Sequence, residues 1–312
     1  MGMKRDIAVV GAGLMGHGIA YLFARAGHRV KLYDSSAEML ASLPDRLAAI
    51  ADLLGDDPSV VDRIDYGQDL AQAVAGADFV FEAVPEIVDL KQDLFAQLEN
   101  LAPAGCILCS NSSAIPTGTI AAKVRDRSRV VGTHFWNPPH LVPLVEVVQS
   151  GPDTLPAVEA VISLLKAAGR HPVHVRRDIP GFIGNRLQHA LKREAIALVA
   201  AGVCDAETLD DVVKYGFGSR LGVLGPMEQS DLVGLDLTRN IHETLMPDLD
   251  RTDRPHPYLV EQVEAGRLGM KTGEGFRKWT PESAEAVHRR LREALVAGMR
   301  RSPDDTRGEP GA

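Results

Sequence analysis

Four apolar residues, Ile7-Ala8-Val9-Val10, run directly into Gly11-Ala12-Gly13-Leu14-Met15-Gly16, and the helical run Ile19-Ala20-Tyr21-Leu22-Phe23 follows. An apolar run of this length ending in glycine reads as a buried parallel strand. The glycines stand at G-x-G-x-x-G spacing in a strand-to-helix turn. Gly11 permits the tight turn, Gly13 lets the backbone approach a pyrophosphate, and Gly16 lets the helix lie close to the strand. The helix N-terminus then faces the phosphates with unpaired N–H groups and the positive end of its dipole. A second strand, Arg29-Val30-Lys31-Leu32-Tyr33, ends at Asp34, about where an acidic side chain accepts from a ribose hydroxyl. An anion there repels a 2′-phosphate, so the pattern favours NAD over NADP.

The first half continues in alternation. Helical patterns over 39–54 lead into a connection rich in aspartate, with Asp52, Asp56, Asp57 and Asp62. Then come a helix over 69–75, a strand over 78–84, a helix over 90–101, a strand over 106–109, a short helix over 115–124 and a strand over 129–132. Two more strands, 144–148 and 172–175, flank a helix over 156–168. This order predicts an α/β fold of Rossmann type, a doubly wound, mostly parallel sheet covered on both faces. From Pro180-Gly181 onward apolar residues recur at helical spacing only, as in Leu187, Leu191, Leu198 and in Leu237, Ile241, Leu245. The expected organisation is therefore a dinucleotide-binding domain over 1–178, a hinge at 178–181 and an all-helical domain over 179–302. The tail over 303–312, rich in proline, glycine and charge, reads as disordered.

Bulk properties narrow the partners. A net charge of -8 gives the long-range field the wrong sign for nucleic acid or an anionic membrane. No span of about twenty apolar residues is present and no signal segment precedes the first strand, which points to the cytoplasm. Three cysteines in 312 residues do not make a disulfide framework. Cys106 and Cys109 have C-x-x-C spacing, yet they lie in an apolar strand rather than at a helix start, and no second such pair or histidine cluster offers a metal site.

Ligands of such a sheet bind at the carboxyl ends of its strands. Two segments there carry chemistry: Gly132-Thr133-His134-Phe135-Trp136-Asn137-Pro138-Pro139, read as a strand running into a proline-stiffened loop, and Leu144-Val145-Glu146, a carboxylate in an apolar strand. Removing hydride from an alcohol carbon requires a base for the hydroxyl proton, and a histidine backed by a buried carboxylate suits that task. A structural histidine and a solvent-facing glutamate are the competing readings.

Several segments together resemble the L-3-hydroxyacyl-CoA dehydrogenase family, including its L-gulonate and carnitine dehydrogenase-like relatives. They are the glycine turn, Val84-Pro85-Glu86 with Lys91, Ser110-Asn111-Ser112-Ser113, His134-Phe135-Trp136-Asn137-Pro138, Leu144-Val145-Glu146-Val147, Pro180-Gly181-Phe182-Ile183-Gly184-Asn185-Arg186, Gly225-Pro226 and Lys271-Thr272-Gly273-Glu274-Gly275-Phe276. The resemblance implies His134 as general base with Glu146 as its orienting partner, and Ser113 and Asn185 as donors to substrate oxygens. It implies an NAD site formed by Gly11, Gly13, Leu14, Met15, Gly16, Asp34, Glu86, Lys91, Asn137 and Lys271, and a homodimer made by the helical domain. Plainer roles stand beside these: Ser113 as a helix cap, Lys91 as a solvated helix charge, Lys271 as part of an ordinary turn.

Two departures bear on the substrate. The acyl-CoA enzymes carry serine and lysine on the helices after the second strand, where this chain has Ser42 and Arg46 and then its aspartates. The stretch 215–226 looks longer than in those enzymes and similar to relatives that oxidise free hydroxy acids. Arg220 lies in it, and its planar fork suits a carboxylate, against the plainer reading of a surface salt bridge. The expected activity is oxidation of the 3-hydroxyl of a free 3-hydroxy acid, with an L-3-hydroxyacyl-CoA dehydrogenase of fatty-acid metabolism as the alternative. A non-catalytic NAD-binding structural protein would keep the glycines without needing His134 and Glu146 together. A lyase would need a further acid that no residue here supplies.

Overall fold

The computed structural model describes residues 4–299; the tail expected to be disordered lies outside them. Contacts divide the chain into two units, the first ending at Arg186 and the second starting at Leu187. The first unit runs β1 (Asp6–Val10), α1 (Gly16–Arg25), β2 (Arg29–Tyr33), α2 (Ala37–Ala41), α3 (Leu43–Leu54), β3 (Ile64–Gly67), α4 (Leu70–Val74), β4 (Phe79–Glu82), α5 (Val88–Leu101), β5 (Ile107–Ser110), α6 (Thr117–Ile120), β6 (Val130–Phe135), β7 (Leu144–Val148), α7 (Leu155–Ala167) and β8 (His171–Val175). The eight strands form one sheet in the order β3-β2-β1-β4-β5-β6-β7-β8, parallel throughout except between β6 and β7. The order reverses direction at β1, and the crevice beside its carboxyl end is where this architecture takes ligands.

Both faces of the sheet are covered, as continuous apolar strands require. Ile7 and Val9 face one core with α1, α3 and α7, while Ala8 and Val10 face the other with α4, α5 and α6. Strand β3 and the 3-10 helix Pro58–Arg63 replace what read as a plain aspartate-rich loop. Asp57 caps that helix, and Asp56 pairs with Arg25 at 2.7 Å and accepts from the Tyr21 hydroxyl at 2.9 Å. Cys106 and Cys109 are free and buried, and burial pushes the Cys106 thiol up to about 12, so neither supplies a thiolate.

The second unit is helical: α8 (Gly184–Ala200, beginning just before the division), α9 (Ala206–Tyr215), α10 (Pro226–Val233), α11 (Leu235–Leu245), α12 (Pro257–Glu264) and α13 (Pro281–Met299). Its β structure among the described residues is confined to isolated bridges at Gly269, Glu274 and Lys278. Asp205 caps α9 through the Thr208 N–H, and Pro281 opens α13. No described helix is long and apolar enough to cross a membrane.

Candidate active site

The glycine turn has the shape its spacing predicts. Gly11 has φ 102°, and a Cβ on Gly16 would overlap the Gly11 carbonyl oxygen, so helix and strand approach as closely as backbone allows. A Cβ on Gly13, by contrast, would meet nothing within 4 Å. Packing within the protein therefore does not demand glycine there, whereas the approach of a pyrophosphate does. Met15, the N-cap of α1, makes no side-chain cap, which leaves the helix's first N–H groups for an anion. Beside it lies a groove of about 690 Å³ lined by Leu14, Met15, Asp34, Met39, Pro85 and Leu94 among others.

Asp34 accepts from the Ala12 N–H at 2.7 Å and the Ser36 N–H at 2.8 Å, and each oxygen keeps a lone pair for a ribose hydroxyl. Arg46 turns inward rather than toward an outer ligand: its guanidinium donates to the carbonyls of Ala12 at 2.7 Å and Met39 at 2.9 Å. The Ser42 hydroxyl likewise donates to the Met39 carbonyl. The turn is thus gripped at Ala12 by both its N–H and its carbonyl. These groups fit a bound NAD.

The sequence ended this strand at Gly132 and set His134 at its end, but β6 continues to Phe135 and His134 lies within it. Small Gly132 and Thr133 hide the strand's continuation from periodicity. In the antiparallel pairing His134 stands directly opposite Glu146, and its Nδ1 lies 2.7 Å from Oε2. His134 is 4 % exposed and Glu146 1 %. The other carboxylate oxygen, Oε1, accepts from the Ile183 N–H at 2.9 Å and the Gly184 N–H at 3.0 Å. Phe182, with φ 47°, turns the chain so that these two N–H groups converge on the carboxylate. Burial alone would raise the Glu146 pKa, but the hydrogen bonds from His134, Gly184 and Ile183 outweigh it and hold the carboxyl below its usual range. An anion at Nδ1 places the imidazole proton there and leaves Nε2 as the basic atom. The ring is flanked by Trp136 at 5.4 Å and Phe182 at 5.7 Å between centroids.

A second cluster stands at the carboxyl ends of β4 and β5. Lys91 is 1 % exposed, not solvated, and its Nζ lies 2.6 Å from Glu82 Oε1 and 3.4 Å from Glu86 Oε2. Glu86 Oε1 accepts from the Ser112 hydroxyl, the Ser113 N–H at 2.9 Å and the Ala114 N–H at 3.1 Å. The Asn185 amide donates to the Ser113 carbonyl at 2.9 Å. Ser113 does not cap α6, whose N-cap Pro116 gives no side-chain hydrogen bond; the Ser112 hydroxyl accepts from the Ile115 N–H in the loop before it. The Ser113 side chain is exposed and makes no hydrogen bond among the described residues, which leaves it open to a ligand. Asn137 is also exposed, at the mouth of the loop after β6. Arg220, in the 3-10 helix Phe217–Arg220, and Lys271, in the turn Met270–Thr272, are exposed in the second unit, and neither makes an ion pair among the described residues. Sequence reasoning gave Glu82 no role; its only signal was an acid between Phe81 and Ala83 in the apolar run 79–84.

Residues 6–179 match the family model of the 3-hydroxyacyl-CoA dehydrogenase NAD binding domain, and residues 181–279 match that of the C-terminal domain. The chain is 38% identical over 304 residues to 5-formyl-3-hydroxy-2-methylpyridine 4-carboxylate 5-dehydrogenase of Mesorhizobium japonicum, covering 96% of this chain and 98% of that one. It is 35% identical over 292 residues to human mitochondrial hydroxyacyl-coenzyme A dehydrogenase, covering 88% and 91%. Among solved structures, a 5-formyl-3-hydroxy-2-methylpyridine 4-carboxylic acid 5-dehydrogenase described as an NAD+ dependent dismutase superimposes with TM-score 0.88 at 35% identity, over 96% of this chain and 98% of that one.

Proposed function

We propose that this chain, which belongs to the 3-hydroxyacyl-CoA dehydrogenase family, oxidises the hydroxyl of a small substrate that carries a free carboxylate, with His134 as general base and Glu146 as its partner. The observation that carries this reading is the buried His134–Glu146 pair. Its geometry leaves Nε2 as the one basic atom, so Nε2 takes the hydroxyl proton as the carbonyl forms. Glu146 then faces an imidazolium, and its charge stabilises the positive ring. NAD, when bound, supplies the hydride acceptor. Gly11, Gly13, Leu14, Met15, Gly16 and Asp34 would hold its adenosine and pyrophosphate half, and Glu86, Lys91, Asn137 and Lys271 its remainder. Ser113 and Asn185 would orient the substrate oxygens.

The free carboxylate is supported by Arg220, an exposed guanidinium with no ion pair among the described residues. It is supported also by the inward commitment of Arg46 and Ser42, which leaves no cation of that region turned outward for a nucleotide phosphate. A second reading has an aldehyde carboxylate as substrate, favoured by the likeness to the pyridine carboxylate dehydrogenase along nearly the whole chain. The hydrate of an aldehyde presents a hydroxyl on a carbon that bears hydrogen, so the same base serves, and the product is an acid. A homodimer is supported by the helices: α8 to α11 and α13 bury no residue in the single chain, and Leu191, Leu235 and Ile241 lie exposed. The free cysteines suit a reducing compartment, and we place the protein in the cytoplasm.

The test is NADH formation at equal enzyme and NAD across 3-hydroxybutyryl-CoA, free 3-hydroxybutyrate, gulonate, carnitine and 5-formyl-3-hydroxy-2-methylpyridine 4-carboxylate. Turnover of a free acid with loss in His134→Ala supports the reading. Turnover confined to the thioester overturns the carboxylate assignment, and an active His134→Ala variant overturns the base.

A further inference from the structure

The ion cluster at the ends of β4 and β5 holds a carboxylate that the proposed chemistry does not use. Glu82 is 0 % exposed, and both of its oxygens are filled: Oε1 by the Lys91 ammonium at 2.6 Å and the Val84 N–H at 2.8 Å, Oε2 by the Ser110 hydroxyl at 2.7 Å. Lys91 in turn donates to Glu82 and to the Val84 carbonyl at 3.3 Å, and its Nζ lies 3.4 Å from Glu86 Oε2. A buried ion pair of this kind adds little net stability, because desolvation offsets most of the attraction, so stability alone does not account for it.

The hydrogen bonds give it a role. Glu86 divides its oxygens between two tasks: Oε2 faces Lys91 while Oε1 gathers the Ser112 hydroxyl and the N–H groups of Ser113 and Ala114. The side chain is 39% exposed, and among the described residues Lys91 is the one partner of Oε2. Lys91 draws that oxygen inward, and Glu82 fixes the Lys91 side chain in place. Ser113 is then clamped on both sides of its backbone, by Glu86 at its N–H and by Asn185 at its carbonyl, with only its hydroxyl left over.

We propose that Glu82 is a positioning residue, which acts through Lys91 and Glu86 to hold the turn of residues 112–114 where Ser113 meets the substrate. This deepens the function proposed above and rests on it for the substrate's place, but the brace itself is testable without turnover. Glu82→Gln keeps shape and removes charge. Lys91 is left with Glu86 as its one counter-ion and draws that carboxylate away from the turn.

In the free full-length protein, amide hydrogen exchange at Ser113 and Ala114 should rise on the order of tenfold in Glu82→Gln, the size of one charge-assisted hydrogen bond, with the amides of β1 and β6 unchanged. Lys91→Met, which cuts the same link from the other side, should raise exchange at the same two amides. Should Glu82→Gln fold poorly, that variant carries the test. Unchanged exchange at Ser113 and Ala114 in the folded variants overturns the brace. With the best substrate of the panel, Glu82→Gln should raise KM about tenfold in the wild-type background and leave it nearly unchanged in Ser113→Ala, because the effect passes through that residue. Additive losses in the double variant would make Glu82 merely structural and overturn its positioning role. If the wild-type protein oxidises nothing in the panel, the function fails while increased exchange still upholds the brace.

Discussion

Replacing Glu146 by glutamine changes one oxygen to an amide nitrogen and removes one charge, with almost no change of shape. The carboxylate now receives three N–H groups, from His134 at 2.7 Å, Ile183 at 2.9 Å and Gly184 at 3.0 Å. Glutamine has a single acceptor oxygen, and the two backbone N–H groups hold it. Its NH2 must then face Nδ1 of His134, which becomes an acceptor, and the ring proton moves to Nε2. The atom meant to take the substrate proton is thereby blocked. A wrong-tautomer penalty of this kind is about 10³- to 10⁴-fold in kcat. At about 1.36 kcal/mol per factor of ten, this is about 4 to 5.5 kcal/mol of lost transition-state stabilisation. The loss of folding stability should be smaller, about 1.5 to 3 kcal/mol for one charge-assisted hydrogen bond, so the variant should remain folded at room temperature. Initial rates of NADH formation measure kcat and KM, and circular dichroism melting checks the fold. KM for NAD should stay within about threefold, since the glycine turn is untouched. A folded Glu146→Gln enzyme that keeps kcat within tenfold of wild type would refute the orienting role of the carboxylate.

Asp34→Ser should raise KM for NAD by about tenfold or more and narrow the preference for NAD over NADP, as read from steady-state kinetics with each cofactor; an unchanged preference would show that the anion does not select. Arg220→Ala should raise KM for a carboxylate substrate by about tenfold or more and leave kcat little changed, whereas an unaltered KM would remove Arg220 from the site. His140 has its pKa lowered to about 4 by burial, with smaller contributions from His17 and Arg170. The unfolded chain binds that proton near pH 6.5 and the folded one resists it. Stability should therefore fall as pH drops from about 6.5 to 4, by up to about 3 kcal/mol. Denaturant midpoints across that window should flatten in His140→Gln, and an unchanged slope would contradict the burial argument.

Much of this was legible in the residues because the strands and helices of the nucleotide-binding half carry strong periodic signals. The run from Ile7 to Asp34 combines a fully apolar strand, glycines of fixed spacing and a second strand that ends in an acid, and each has one structural solution. Strand β3 escaped because only Ile64 of its four residues is buried, so an edge strand looked like loop. The burial of Lys91 escaped for a different reason. A lysine in the first turns of a helix is ordinarily solvated, and only the strand end beneath it, with Glu82 pointing the same way, turns the charge inward. Periodicity reports which face of an element is apolar; it does not report two charges that neutralise each other inside.

The one antiparallel step in the sheet is what assembles the proposed dyad. Parallel neighbours are joined by long crossovers, but here β6 turns back through residues 136–143 and β7 returns along it, so His134 and Glu146 become direct partners. Side chains of an opposed pair share one face with Cβ atoms about 4.5 to 5.5 Å apart, close enough for Nδ1 to reach Oε2. A slip of one residue would set Val145 or Val147 against the histidine and carry the acid to the other face. Because the pair is buried, the second carboxylate oxygen also needs donors. The chain beyond β8 supplies them from Ile183 and Gly184, at the start of α8. The next residue, Asn185, is thereby placed to hold the carbonyl of Ser113. One carboxylate thus orients the base and fixes the segment that positions the substrate donors, so the base and the residues expected to meet the substrate form a single hydrogen-bonded structure.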